Sequence, residues 1–289
     1  MKVNLITKLA GAVGIFGWLH LSAYAQDYNL IMTAAEDPGA TNSTLADTTV
    51  ETFNELSVGD HTNVVTSIGT YNLLSILAAN EYGGAAGPGY PDGSPYAVTS
   101  TSSGLGGIPT TTLTFSNPIA YFGLWWSAGD AANVLTFYNG TTEVGQFTTA
   151  SLVNLLPSSY KGNTTPGYIG ADYGEKFAFI NFYGVDGTAF TSVQFSNIGS
   201  SGFENDNNTI RTAAYGADTN DTSSTLPGLP IEEVINNGGT QTVITNSTTI
   251  VANEVGTPAP APEPSSFALL GVAGAAGLVW AARRRTVKA

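Results

Sequence analysis

Gly, Pro, Asn and Asp break residues 50–210 about every ten positions, and the runs between the breaks are long enough only for β-strands. Residues 110–116 alternate, with Leu113 and Phe115 on one face. Residues 120–127 put Phe122, Leu124 and Trp126 on one side and Tyr121 and Trp125 on the other, the two-residue period of a strand. Asn139-Gly140 between 133–138 and 142–147 is a strong two-residue hairpin signal. Residues 177–183 and 191–197 read as another strand pair, and 203–210 completes the sheet. Upstream, Tyr28, Leu30 and Ile31 can begin the first strand, with short runs at 50–56, 62–67 and 96–101 and a Gly- and Pro-rich loop at 83–94. Residues 149–156 read as one or two helical turns. No helical period lasts long enough for an α/β fold and no repeat has a fixed length, so the pattern predicts an all-β, antiparallel β-sandwich. A polar extension begins at about residue 211, in which 240–252 can add one strand.

The two ends of the chain stand apart from this pattern. Residues 1–25 have Lys2 and Lys8 at a basic start, an apolar centre at 9–21 and the small-residue box Ala23-Tyr24-Ala25, the anatomy of a secretory signal peptide cut after Ala25. At the other end, 257–264 form a Pro-rich spacer, and 265–282 carry no charge before Arg283, Arg284 and Arg285. Eighteen helical residues span roughly 27 Å, enough to cross a hydrocarbon core as a single transmembrane helix, with 283–289 as a basic cytoplasmic tail. Positive charge at both ends places both termini inside and the domain (26–256) outside.

Charge narrows the partners. Between Gln26 and Pro262 only Lys161, Lys176 and Arg211 face 21 carboxylates, a formal charge of −18. Such a surface repels phosphate backbones and excludes nucleic acid, while divalent cations and neutral glycans remain compatible with it. With no cysteine in the chain, the fold has no disulfides and must be held by its core.

Pro262-Glu263-Pro264, the apolar helix and the terminal arginines together resemble the PEP-CTERM sorting signal of Gram-negative bacteria. The same kind of tail is also catalogued as an ice-binding-protein C-terminal domain, a label for a tail and not an activity. The resemblance implies the general secretion machinery and an exosortase as partners. It further implies a transient anchor in the inner membrane, cleavage near the triplet, and delivery to the cell surface or an exopolysaccharide matrix. The stretch 124–130 (Leu-Trp-Trp-Ser-Ala-Gly-Asp), with Asn133 and the Phe203-Glu204-Asn205-Asp206-Asn207 run, is similar to cargo domains that precede this tail. Those domains resemble lectin-like jelly rolls.

The residue inventory limits the chemistry. His61 is the only histidine outside the leader, and no Gly-x-Ser-x-Gly elbow occurs, so a Ser-His-Asp site has almost nothing to be built from. One histidine and no thiolate cannot make an ordinary zinc site. Glu204, Asp206 and Asn207, with Asp130 or Asp186 from neighbouring turns, offer the hard oxygens calcium requires, against a reading in which Asx residues only make turns. Of the adjacent Trp125 and Trp126, one is expected in the core, and the other is a candidate sugar-stacking platform. Asp130 and Glu204 are the carboxylate pair best placed for glycan hydrolysis. Thr110-Thr111-Thr112 and Thr248-Thr249 are clusters and not the flat array that ice recognition requires. The expectation is a non-catalytic exported surface or matrix protein. A carbohydrate-binding module, calcium-dependent or not, is the alternative, and a glycan hydrolase comes third.

Overall fold

Residues 176–185 and 121–129 are apolar at almost every position, and this double-sided character places their strands at the centre of the molecule. The computed structural model describes residues 27–79, 81, 94–164, 169–199, 201–237 and 240–245. In chain order its elements are β1 (Tyr28–Ala34), β2 (Thr49–Glu51), β3 (Gly59–Val65), β4 (Gly69–Leu77), β5 (Tyr96–Thr99), β6 (Thr110–Ile119), β7 (Tyr121–Gly129), β8 (Asn133–Asn139), β9 (Thr142–Thr148), α1 (Thr149–Leu155), β10 (Lys176–Val185), β11 (Phe190–Asn197), β12 (Phe203–Arg211), β13 (Leu229–Asn237) and β14 (Thr240–Thr245). All the strand pairings are antiparallel, in the order β14-β13-β1-β10-β7-β12-β5-β4-β6-β11-β8-β9, with β2 on β12 and β3 on β4.

This long sheet curls until its ends face each other, so that β9 packs on β1 and β13. The result is the antiparallel sandwich expected from the sequence, close to a closed barrel. Phenylalanines fill the space between the layers. Phe137 on β8 lies 4.9 Å, centroid to centroid, from Phe182 on β10, and Phe122 on β7 lies 6.0 Å from Phe195 on β11. The layers approach closely where side chains are small: a Cβ on Gly145 of β9 would sit 3.2 Å from Val234 of β13. With no disulfide to help, this apolar burial is the main source of stability.

The strands follow the predicted pattern closely in the middle of the chain. Phe122, Leu124 and Trp126 face the inter-layer core, and Tyr121 and Trp125 face the other side, where they join two smaller clusters. The β8–β9 hairpin turns through Gly140, at φ 61°, which L-residues seldom adopt. Two strands escaped the sequence reading. β4 has a ragged pattern, with Asn72 and Leu73 exposed, and β13 lies inside the stretch taken as polar extension. Ile231 and Val234 of β13 are buried in the core while Glu233 and Asn237 are not, so one apolar face is hidden in a polar composition. Among the described residues no helix is long and apolar enough to cross a membrane. The signal peptide, spacer, sorting triplet, apolar span and terminal arginines lie outside the described residues.

Candidate functional site

Strand β12 reads Phe-Glu-Asn-Asp-Asn-Asn-Thr-Ile-Arg, and every residue but Ile210 is buried. A central strand with so polar a sequence needs a partner for each group, because an unmet buried polar atom costs about 1–3 kcal/mol. Most partners are present. Asn208 Nδ2 donates to Tyr71 Oη and to Asn205 Oδ1, both at 3.0 Å, and Thr209 Oγ1 donates to the Asn207 carbonyl at 2.8 Å. At the far end, Arg211 makes a forked pair to Asp221 at 3.0 and 2.8 Å.

The beginning of β12 is different. Glu204 is only 4% exposed and lines a pocket of about 290 Å³ together with Asp130, Glu175, Ala128, Leu105 and Gly202, among others. Local backbone chemistry builds this pocket. An extra residue on β7 shifts its pairing with β10 between Lys176 and Ala178, and Ala128 takes a left-handed φ of 45°. Gly129 then lies against the Trp126 indole, where a Cβ would come within 2.1 Å of the ring, and so only glycine fits. Asp130 follows directly at the rim, with its Oδ1 accepting from the Ala132 amide at 2.6 Å. The Glu204 carboxyl lies over Gly202, which has no side chain to displace it.

The electrostatics are one-sided. Burial, with Glu175, Asp130 and Asp172 adding negative potential, pushes the Glu204 carboxyl up to about 8. Burial likewise raises Glu175, reinforced by Asp172 and Asp130. The nearby Lys176 turns away, its ammonium donating to the Leu156 and Pro157 carbonyls, each at 2.7 Å. Among the described residues both ion pairs belong to Arg211, and the Glu204 carboxyl accepts only from its own backbone N–H.

The structure therefore brings Asp130 and Glu204 together, as the sequence allowed, and adds Glu175, which no spacing rule links to residue 204. Asp206 and Asn207 do not join them. Asp206 is fully buried, accepting from Ser94 Oγ and from the Asn207 amide, both at 2.7 Å, and its carboxyl is pushed up to about 7 by burial. Asn207, at φ 50° in the irregularity between Asp206 and Thr209, points to the Thr41 carbonyl at 2.8 Å. Asp186 sits at the β10–β11 turn, accepting from Asn29. The expected calcium set is thus divided between separate environments, and among the described residues no group of three or more His, Asp or Glu could hold a metal. Trp125 and Trp126 do face opposite ways, but both are 0% exposed, so neither offers a ring face for stacking on sugar. On the outer face of β7, Tyr96 of β5 and Phe177 and Phe179 of β10 cluster with Trp125, which is buried as fully as Trp126 is in the sandwich. His61 lies on strand β3, where its Nε2 donates to the Ser57 carbonyl at 2.7 Å.

Fold and tail together define a class: an antiparallel β-sandwich carried ahead of a C-terminal sorting tail. Residues 260–285 match the PEP-CTERM protein-sorting motif, and this marks the chain as an exported protein sorted by an exosortase through a transient C-terminal anchor. No curated protein matches the chain. Among solved structures, it is similar to the catalytic domain of a GH87 alpha-1,3-glucanase variant in complex with tetrasaccharides, at 11% identity and a TM-score of 0.29. That match covers 64% of this chain and 28% of the other, and likeness at this level fixes neither fold nor activity.

Proposed function

We propose that this protein is a non-catalytic component of the cell surface or extracellular matrix of a Gram-negative bacterium. The leader at 1–25 carries it across the inner membrane, the apolar span at 265–282 holds it there with Arg283, Arg284 and Arg285 inside, and an exosortase cuts near Pro262-Glu263-Pro264. The observation that carries this reading is the sorting-motif match at 260–285, placed behind a Pro-rich spacer and an uninterrupted β domain. A non-catalytic role is further supported by the placing of His61, the only histidine outside the leader, which is engaged with a turn carbonyl rather than with a nucleophile.

Mass spectrometry of the secreted protein's C-terminus tests the proposal. The expected mature chain ends close to the triplet and lacks Trp280. A secreted form that keeps Trp280 and the arginines overturns it. Catalysis has its own check: release of new reducing ends from the cells' matrix polysaccharide, lost in Glu204→Gln, would replace the non-catalytic role with a hydrolytic one.

A further inference from the structure

Among the described residues, four strands have a paired neighbour on one side only: β2, β3, β9 and β14. A free strand edge presents unpaired N–H and C=O groups to any other chain, so sheets guard their edges with charge, bulges, shortness or cover. Three of the four edges are guarded. β2 has three residues and ends in Glu51. β3 carries Asp60 and is bulged at Asn63, which takes a left-handed φ of 53° and is skipped in the pairing with β4. β9 is covered: it packs on β1 and β13, and its Glu143 carbonyl accepts from Asn236 Nδ2 at 2.8 Å.

β14 has none of these devices. It reads Thr-Gln-Thr-Val-Ile-Thr, without charge, proline or glycine, and all six residues are exposed. Its pairing with β13 runs from Asn237↔Thr240 to Glu232↔Thr245 without a bulge, so nothing bends the far edge away. Val243 is 53% exposed and Ile244 38%, and because adjacent strand residues point to opposite faces, each face of β14 shows an aliphatic side chain. A short uncharged run of strong β-formers on an open edge is the signature of strands that pair edge to edge.

We infer that the β14 edge pairs antiparallel with the β14 edge of a second copy of this chain, joining two sheets into one across a two-fold axis. Charge favours this partner. The segment from Gln26 to Pro262 has a formal charge of −18, so copies repel over most of their surface, but residues 234–253 carry no charge and two β14 edges can meet without like charges opposite each other. The symmetry uses up the unguarded edge of both molecules, so assembly closes at two copies. One residue of β14 then lies directly opposite its own copy, with Cβ atoms about 4.5–5.5 Å apart. The tail supplies proximity. β14 ends at Thr245, and residues 246–264 span at most about 65 Å before the apolar run, so copies anchored through 265–282 hold their β14 edges in one layer at the membrane. Proximity of this kind rests on the sorting route proposed above, whereas the unguarded edge does not.

The chain has no cysteine, so single-cysteine variants of the full chain, purified in detergent and oxidised, report the pairing directly. Thr242→Cys, Val243→Cys and Ile244→Cys are compared with Val65→Cys, an exposed position on the guarded β3 edge. A disulfide-linked dimer is expected from the β14 position that faces its own copy, and little from Val65→Cys. Light scattering on the cysteine-free chain is expected to show a monomer–dimer equilibrium that tightens as sodium chloride rises from about 0.05 to 0.5 M, because salt screens the repulsion. Val243→Lys puts an ammonium on the edge and is expected to weaken the dimer about tenfold or more at an unchanged melting temperature, while Val65→Lys leaves it as it was. A chain that stays monomeric across this range overturns the proposal. A dimer indifferent to Val243→Lys does so too, because the apolar span or another face then holds it. Crosslinking at Val65→Cys equal to that at β14, or growth beyond two copies, likewise overturns it. None of these results bears on where the exosortase cuts, which the mass of the mature C-terminus reports separately.

Discussion

The two ends of strand β12 handle buried charge in opposite ways. At the C-terminal end, Arg211 is 2% exposed and clasped by Asp221 through two hydrogen bonds, with Asp218 3.5 Å away as a second carboxylate. At the N-terminal end, Glu204 and Asp206 are buried and make no ion pair among the described residues, and each carboxyl is raised toward or beyond neutrality. A buried pair with good geometry is closed: removing either member leaves a charge without compensation. A buried carboxyl with no counter-charge is open. It must keep a proton, or take up something that replaces water. One strand thus anchors the fold at one end and keeps unspent hydrogen-bonding capacity at the other.

The closed end should show the largest effect. Asp221→Ala strands the Arg211 guanidinium in the interior and is expected to cost about 3–5 kcal/mol, read as a lower urea midpoint at constant slope. A loss of about 1 kcal/mol or less would place the pair among surface ion pairs and remove the contrast between the two ends.

The adjacent tryptophans carry the same contrast across the sheet. Trp126 Nε1 donates to Asn133 Oδ1 at 2.9 Å, and Asn133 in turn donates to the Gly202 carbonyl at 3.1 Å. Trp126→Phe therefore leaves a fully buried amide oxygen unmet, whereas Trp125→Phe removes an indole N–H that has no acceptor among the described residues. The Trp126 variant is expected to be the less stable by about 1–3 kcal/mol in parallel urea titrations. Equal losses would mean that the Trp125 indole is satisfied after all.

At the open end the effect depends on pH. Because the folded state raises the Glu204 carboxyl to about 8, the native protein binds this proton more tightly than the unfolded chain does. That contribution is complete below the ordinary glutamate range and is lost as pH rises through about 8. Glu204→Gln cannot ionise, so it should match the parent protein near pH 4 and exceed its stability by about 3–5 kcal/mol above pH 8. Thermal melts at the two pH values measure this. A constant difference between the two proteins would show that Glu204 is not held protonated by its surroundings.

Much of this was legible in the sequence, and the remainder was not for definite reasons. The period-two alternation of β7 correctly set Trp125 and Trp126 on opposite faces, and Asn139-Gly140 located the β8–β9 hairpin, because both are local properties of the backbone. The burial of Trp125 was not legible. It comes from Tyr96, Phe177 and Phe179 arriving from distant parts of the chain. β13 was missed because its apolar residues are few and its surroundings polar, so its pairing with β1 decides its state. The acidic pocket was half legible: Asp130 and Glu204 stood out, but Glu175 emerges only when β10 pairs with β7. Asp206 is engaged by the Ser94 hydroxyl and Asn207, at a left-handed φ, by the Thr41 carbonyl, and neither arrangement follows from a composition rule.

Calcium gives the smallest expected effect and tests whether the open end is a metal site. A ligand present at 100 times its Kd stabilises the state that binds it by about 2.7 kcal/mol, which for a domain of this size moves the melting temperature by roughly 5–10 °C. Among the described residues no three carboxylates are gathered to hold a metal, and Glu204 would have to lose its proton before it could coordinate. Adding millimolar calcium at pH 7, or chelating it, should therefore shift the melt by less than about 2 °C. Near pH 9, where Glu204 is ionised, the shift should increase while remaining below the saturating value, since the pocket then carries one more negative charge but no better geometry. A full-sized shift at pH 7 would mean that the carboxylates close around an ion, and the open end of β12 would prove as fully paired as the Arg211 end.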